Sequence, residues 1–194
     1  NSDGTIKATN KIASGTANFA TLADFDHFGV SSAGIGDIDN DGVNDIVAGA
    51  YTDDTGGTDR GAIYVIRLND AIAPTFTPVL PATGTLINDV STGASDLSYT
   101  LSEAITSGSI TITNTGGTLG GGGTCTLRGS ALNSGPHNNF ALTNSANTCV
   151  LAVPLNSGGI YTFAFSGTDS AGNISTTVTT TNVTFDNTPP GLQK

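Results

Sequence analysis

The sequence has no methionine or tryptophan, and only two histidines, two cysteines and six lysines and arginines. Sixteen aspartates and glutamates give a net charge of −10, and such a negative field disfavours binding to nucleic acid or anionic lipid. No apolar run reaches the ~18 residues that a membrane-spanning helix needs. The chain also lacks the motifs of serine hydrolases and zinc proteases, so we predict that it is not an enzyme.

The two cysteines are too few for a disulfide scaffold, and their spacing does not fit a zinc site. Cys125 and Cys149 flank a stretch rich in glycine and asparagine. We predict one disulfide between them in an oxidising compartment, and chain-entropy estimates give it about 3 kcal/mol of stabilisation. The alternative is two unpaired thiols.

Threonine, serine, glycine and asparagine are abundant, charged residues are scarce at 11%, and no stretch shows helical periodicity. This composition predicts an all-β protein with many turns. In the first third of the chain, apolar and small residues predict four strands separated by polar turns. These strands are residues 5–12, 28–36, 45–50 and 61–68.

Four aspartates are concentrated in the turn between the second and third of these strands. Within residues 37–45 they occupy positions 1, 3, 5 and 9, and a glycine is at position 6. Carboxylates at this spacing repel one another and need a compensating charge, and Ca²⁺ prefers such oxygen ligands in a flexible geometry. The spacing therefore predicts a calcium site. The alternative is a solvated acidic turn, which we also predict for Asp53, Asp54 and Asp59.

Together with this loop, three short motifs resemble one FG-GAP repeat, the blade unit of integrin-α-type β-propellers: Phe28-Gly29, Gly49-Ala50 and Asp59-Arg60-Gly61-Ala62. The resemblance covers about residues 1–69, although Tyr51 stands where the motif usually has proline. It implies a four-stranded blade whose loop binds Ca²⁺. The ligands that it implies are the side chains of Asp37, Asp39, Asp41 and Asp45 and the backbone carbonyl of Val43.

A single blade leaves both edges and both faces of its sheet uncovered. We therefore expect either a longer repeat protein or completion of the sheet by neighbouring copies. Our hypothesis is that the first predicted strand pairs with another chain or repeat by strand addition. The residues of this segment are Thr5, Ile6, Lys7, Ala8, Thr9, Asn10, Lys11 and Ile12.

The second part of the chain begins with a proline-containing segment, residues 70–81, which we predict to be an extended linker. Residues 82–188 alternate apolar and polar residues, with turn signals at intervals typical of a β-sandwich. We predict strands at 98–101, 108–113, 149–153, 159–166 and 175–185.

Several phrases in this part resemble bacterial immunoglobulin-like repeats of large surface proteins, over about residues 74–190. They are Leu101-Ser102-Glu103-Ala104, Tyr161-Thr162-Phe163, residues 167–173 and residues 186–190. The resemblance implies an immunoglobulin-like sandwich, with 189–194 as a linker or the start of a next repeat in a longer parent chain. Asp169 and Asn173 fit either a second ion site or a tight turn.

These features favour an extracellular, calcium-stabilised structural module of a bacterial surface protein that assembles with its own copies into a fibre or surface layer. One alternative is an adhesin or lectin-like module that binds a cell-surface protein or glycan. Another is a non-catalytic part of a large secreted enzyme.

Overall fold

The computed structural model describes residues 13–16, 19–90, 96–142 and 154–188. The chain divides into two compact units, Asn1–Asn69 and Asp70–Lys194, each of which is treated by itself. Three predicted features lie outside the described residues: the strand at 5–12, the strand at 149–153 with Cys149, and the segment at 189–194.

The first unit contains an antiparallel sheet of three strands, β1 (Phe28–Gly36), β2 (Asp45–Ala50) and β3 (Ala62–Ile66), in that order. The bounds of β1 and β2 are those predicted, and β3 lies within its predicted range. Pairing of β2 with β3 is regular over all five residues, whereas the pairing of β1 with β2 shifts register near both ends of β1. The sheet is consistent with a propeller-like blade.

One face of this sheet is covered by aromatic rings. Phe28 and Tyr64 meet edge to face at 5.3 Å between ring centroids, and Phe19 lies 5.2 Å from Phe28. Beneath them, however, the buried apolar residues among the described part of the unit are only Ala48 and Ala50. In the described part of the unit this apolar core is small and supplies little burial energy, so polar contacts there carry more of the stability.

Asp53 provides one such interaction. The prediction that Asp53 belongs to a solvated turn was wrong, because its side chain is buried. Its side chain is only 2% exposed, and it accepts hydrogen bonds from the hydroxyls of Thr55 and Tyr64. The hydrogen bond to Asp53 and burial raise the pKa of Tyr64 to about 12. Asp54 and Asp59 are exposed, as predicted. The Asp53–Tyr64 bond joins the β2–β3 turn to the middle of β3.

The second unit contains two sheets. A five-stranded sheet has the order β5-β11-β10-β7-β8, and a three-stranded sheet has the order β4-β6-β9. The strands are β4 (Phe76–Leu80), β5 (Leu86–Ile87), β6 (Ser98–Leu101), β7 (Ser107–Gly117), β8 (Gly122–Thr126), β9 (Gly135–His137), β10 (Gly159–Thr168) and β11 (Val178–Phe185). A short 3₁₀ helix, Gly129–Leu132, precedes β9.

The two sheets share one hydrophobic core. Fully buried side chains come from the smaller sheet (Phe76, Tyr99) and from the larger one (Phe163, Phe165), and Phe76 and Tyr99 lie 5.6 Å apart. Every second residue of β10 is buried, which matches the alternation of aromatic and polar or small residues in its sequence. The chain is therefore all-β in its described residues, which contain no α-helix.

The predicted linker at 70–81 needs correction. Residues Phe76–Leu80 form β4 and pair with β6, and both Pro74 and Phe76 are completely buried. The prediction failed because prolines are unfavourable in the middle of a sheet, whereas β4 lies at a sheet edge, where proline is tolerated. The segment thus belongs to the second unit and contributes to its core.

Cys125 lies on β8 and is completely buried. Its predicted partner, Cys149, is outside the described residues. The disulfide between them stays a prediction.

We predict that Tyr64→Phe destabilises the first unit by about 1–3 kcal/mol, because buried Asp53 loses a hydrogen-bond donor and the cost of an unsatisfied buried acceptor is of that size. Urea denaturation, monitored with a spectroscopic probe in the first unit, measures the change in the free energy of unfolding. Tyr51→Phe is the matched control, since Tyr51 is 59% exposed. Equal effects of the two substitutions would contradict this account.

Candidate metal centre

The acidic loop joins β1 to β2, and Asp45 anchors it. Asp45, the first residue of β2, is completely buried. One of its carboxylate oxygens accepts the backbone N–H of Ile38 at 2.9 Å, and the other accepts that of Leu68 at 2.8 Å. Asp45 thereby holds both the start of the loop and the chain that leaves β3.

Asp37 shapes the middle of the loop. Its two oxygens accept the backbone N–H groups of Asp41, at 3.1 Å, and Gly42, at 2.9 Å. The backbone of Asn40 has φ +61 and that of Gly42 has φ +96, conformations that asparagine and glycine adopt most readily. The glycine at position 6 of the loop therefore permits the sharp turn that folds the loop back on itself.

Three of the four loop aspartates converge. Ligand oxygens of Asp37, Asp39 and Asp45 lie within 4.8 Å of one another. Calcium binds oxygen at about 2.3–2.6 Å, so ligands on opposite sides of one ion are roughly 4.6–5.2 Å apart. The three carboxylates therefore fit a single Ca²⁺ in both donor type and spacing. Ca²⁺ bound there would offset their mutual repulsion.

Asp41 is not part of this cluster of side-chain oxygens. Asp41 is buried, and its Oδ1 accepts the backbone N–H of Val43 at 2.8 Å. Val43 is half-buried. Both residues are in the same loop, two and four positions beyond Asp39. Among the loop carboxylates, those at positions 1, 3 and 9 converge, and the Val43 carbonyl stays a prediction.

A second carboxylate cluster lies in the second unit. Oxygens of Asp70, Glu103 and Asp169 are within 4.8 Å of one another. Asp169 is 3% exposed and accepts hydrogen bonds from both the backbone and the side-chain amide of Asn173, at 2.8 and 3.0 Å. The tight turn anticipated at Asp169 and Asn173 is present, since the backbone N–H of Asp169 also bonds to the Asn173 carbonyl.

The contribution of Asp70 and Glu103 was not foreseen, because these residues are far from Asp169 in the sequence. The Asn173 amide also donates to the Asp70 carbonyl at 3.0 Å, which fixes the start of the unit beside this turn. Partial burial, with the charges of Asp70 and Asp169 nearby, raises the pKa of Glu103. The cluster therefore disfavours the charged form of the Glu103 carboxyl.

The histidines are outside both clusters. His27 Nδ1 lies 2.6 Å from the Phe25 carbonyl oxygen and 2.7 Å from the Thr52 hydroxyl, and His137 stacks on Tyr99. No helix in the described residues is long and apolar enough to cross a membrane.

Residues 28–66 match the family model of the FG-GAP repeat, so the match begins at β1 and ends at the last residue of β3. Repeats of this family commonly bind calcium and occur in extracellular proteins. No family match supports the immunoglobulin-like resemblance of the second unit. Neither a curated protein nor a solved structure matches the chain.

We predict that Asp39→Asn weakens calcium binding by about tenfold or more, because calcium affinity depends on the number of charged ligands. Asp39 is exposed and makes no hydrogen bond within the described part of the chain, so calcium-free stability should stay equal or rise slightly as repulsion falls. Calorimetric titration and denaturation with EDTA measure the two effects. Asp24→Asn removes the same charge at another exposed site and should change neither; a calcium response unaltered by Asp39→Asn would contradict the site.

We predict that Glu103→Gln stabilises the second unit by about 0.5 kcal/mol near neutral pH, the scale of a solvent-screened charge interaction. The pKa of Glu103 is raised in the folded state, so the protonated carboxyl favours folding. This contribution to the free energy of unfolding is fully present below the ordinary glutamate pKa and is lost as pH rises through the folded-state pKa. The variant, which resembles the protonated form, should therefore gain nothing below about pH 4. Thermal denaturation at both pH values tests this, and a gain independent of pH would argue against it.

Proposed function

We propose that this chain is a calcium-stabilised structural module of an extracellular bacterial surface protein. The observation that carries the proposal is the convergence of Asp37, Asp39 and Asp45 within a segment that matches the FG-GAP repeat. A bound Ca²⁺ would hold the β1–β2 turn rigid and, through Asp45, the end of β3 as well. The metal has a structural role, since it would neutralise a loop that the small core of the first unit cannot stabilise alone.

Neighbouring copies complete the sheet of the first unit in this proposal. Within the described residues the sheet has three strands, and β1 and β3 each leave one edge unpaired by another strand. The donor that we propose is the segment Thr5–Ile12 of another copy, which contains Lys7 and Lys11. Asp24, four residues before β1, is exposed and offers one complementary charge near the β1 edge.

The second unit acts as a spacer in this arrangement. Its two sheets and continuous core support an immunoglobulin-like sandwich, and a Cys125–Cys149 disulfide would strengthen it. Repetition of blade and spacer would give a fibre or a surface layer, because a head-to-tail contact that does not close produces an open polymer.

A second candidate function is adhesion, as an adhesin or lectin-like module. An open groove of about 600 Å³ on the first unit includes Tyr51, Arg60 and Ile63 in its lining. Tyr51 is 59% exposed, and its ring lies 4.8 Å from that of His27 between centroids, at a tilted angle of 31°. An exposed aromatic ring in the same groove as the Arg60 guanidinium is suited to a polar ligand such as a glycan or peptide.

We predict that the full chain forms polymers in calcium and shorter species in EDTA, visible by light scattering and negative-stain electron microscopy. Deletion of residues 1–13 should leave monomers that still bind calcium, because it removes the donor strand and keeps the loop. A wild-type chain that is monomeric both with and without calcium would contradict the assembly proposal. Calcium-independent monomers that bind glycan or peptide in the groove would favour adhesion instead.

A further inference from the structure

The acidic loop between β1 and β2 contains a chemically labile pair of residues. An aspartate followed by glycine occurs at residues 3–4 and at residues 41–42, and the second pair lies in the middle of the loop. In such a pair the backbone nitrogen of glycine can attack the aspartate side chain, because glycine has no Cβ to hinder the approach and its backbone rotates readily. The pair is therefore a candidate for spontaneous isomerisation.

The reaction has two steps and needs only water. The Gly42 nitrogen bonds to Cγ of the protonated Asp41 carboxyl, and the carboxyl OH leaves as water with the Gly42 amide proton, which gives a cyclic imide. Water then opens the imide at either carbonyl. Opening at the side-chain carbonyl restores aspartate, and opening at the original backbone carbonyl gives isoaspartate. In isoaspartate the backbone runs through Cγ, so it is one carbon longer at the same mass.

The folded loop holds both reacting groups. The Gly42 N–H donates to Oδ2 of Asp37 at 2.9 Å, and Oδ1 of Asp41 accepts the backbone N–H of Val43 at 2.8 Å. Ring closure removes the Gly42 N–H and neutralises the Asp41 carboxylate, so the first contact is lost and the second is weakened. The Asp41 side chain is also only 8% exposed. We therefore expect the reaction to require local opening of the loop.

The labile pair separates the aspartates that converge on the metal site. Asp37 and Asp39 precede it and Asp45 follows it, and ligand oxygens of these three lie within 4.8 Å of one another. Isoaspartate lengthens the chain between the two groups by one carbon–carbon bond, about 1.5 Å. Calcium–oxygen distances vary by only about 0.3 Å, so this change is large enough to disrupt the ligand set.

We propose that Asp41–Gly42 is a site of spontaneous aspartate isomerisation, closed while calcium holds the loop and open when calcium is lost, and that its conversion permanently disables the calcium site. This inference rests on the proposed calcium binding and goes beyond it, since it gives the loop a limited chemical lifetime in calcium-poor surroundings. An ion that binds only the closed loop at about a hundred times its Kd slows a reaction of the open loop about hundredfold.

The full chain is incubated at one neutral pH in saturating calcium, in EDTA, and in urea with EDTA. The proteolytic peptide that contains residues 41–42 is separated by chromatography, and electron-transfer fragmentation identifies isoaspartate. We expect conversion to be fastest in urea, slower in EDTA, and about hundredfold slower in calcium than in EDTA. The chain lacking residues 1–13 is treated in the same way, which separates protection by calcium from protection by polymer formation.

Two variants test the contact to Gly42 in the absence of calcium. Asp37→Ala removes the acceptor of the Gly42 N–H, so in EDTA its conversion should be severalfold faster than that of the wild type. Asp39→Ala is the matched control, because it also removes one carboxylate of the cluster, but within the described residues Asp39 makes no hydrogen bond to Asp41 or Gly42. Its conversion should be close to that of the wild type.

The consequence for the metal site is measured by calorimetric titration with calcium after incubation in EDTA. The fraction of wild-type chains that still bind calcium should fall as isoaspartate accumulates. Asp41→Glu keeps a carboxylate but lengthens the side chain, which disfavours ring closure, and it should keep the calcium capacity that it has before incubation. Equal losses in the wild type and in this variant would argue against isomerisation as the cause.

Two results in the wild type would overturn the proposal while leaving calcium binding intact. One is the absence of isoaspartate in EDTA after a time in which the urea sample has largely converted. The other is equal conversion in calcium and in EDTA when titration of the fresh chain shows bound calcium. Slower conversion of Asp37→Ala would also overturn it, because Asp37 would then promote the attack as a base. Absence of calcium binding in the fresh chain would contradict the proposed function and this inference together.

Discussion

Repulsion among carboxylates at the β1–β2 turn is the constraint on which the first unit depends. Asp37, Asp39 and Asp45 place their oxygens within 4.8 Å of one another in a loop of nine residues. Backbone N–H groups compensate part of this charge at Asp37 and Asp45, but Asp39 has no such donor among the described residues. We propose that a cation supplies the rest of the compensation, and calcium has the matching ligand preference.

The two units are stabilised by different kinds of interaction. The second unit buries large aromatic and aliphatic side chains between two sheets, and its cluster of acids raises the pKa of Glu103. In the described part of the first unit, the buried apolar residues are only two alanines, so polar contacts supply a larger share of the stability there. Asp45 and Asp53 are both buried, and each connects a turn to β3. The Asp45 contacts and the Asp53–Tyr64 bond together tie the turns of the sheet to its third strand.

Local patterns in the sequence predicted the features that local chemistry determines. The aspartate spacing and the apolar run after Asp45 predicted the loop and the bounds of β2, and alternation predicted β6 and most of β10. Long-range pairing was not predictable in the same way. The burial of Asp53 depends on Tyr64, and the Asp70–Glu103–Asp169 cluster joins three distant segments. The strand at Phe76–Leu80 was missed because its prolines are acceptable only at a sheet edge, which the sequence does not identify.

The most direct test of the calcium account is amide hydrogen exchange of the full chain, with saturating calcium and with EDTA. Calcium should slow exchange in β1, β2 and the loop between them, since a ligand that binds the folded unit suppresses its local opening. Exchange in β10, at the centre of the second unit, should be unchanged. Identical exchange of the loop in both conditions, or an equal change throughout both units, would contradict a structural calcium site at Asp37, Asp39 and Asp45.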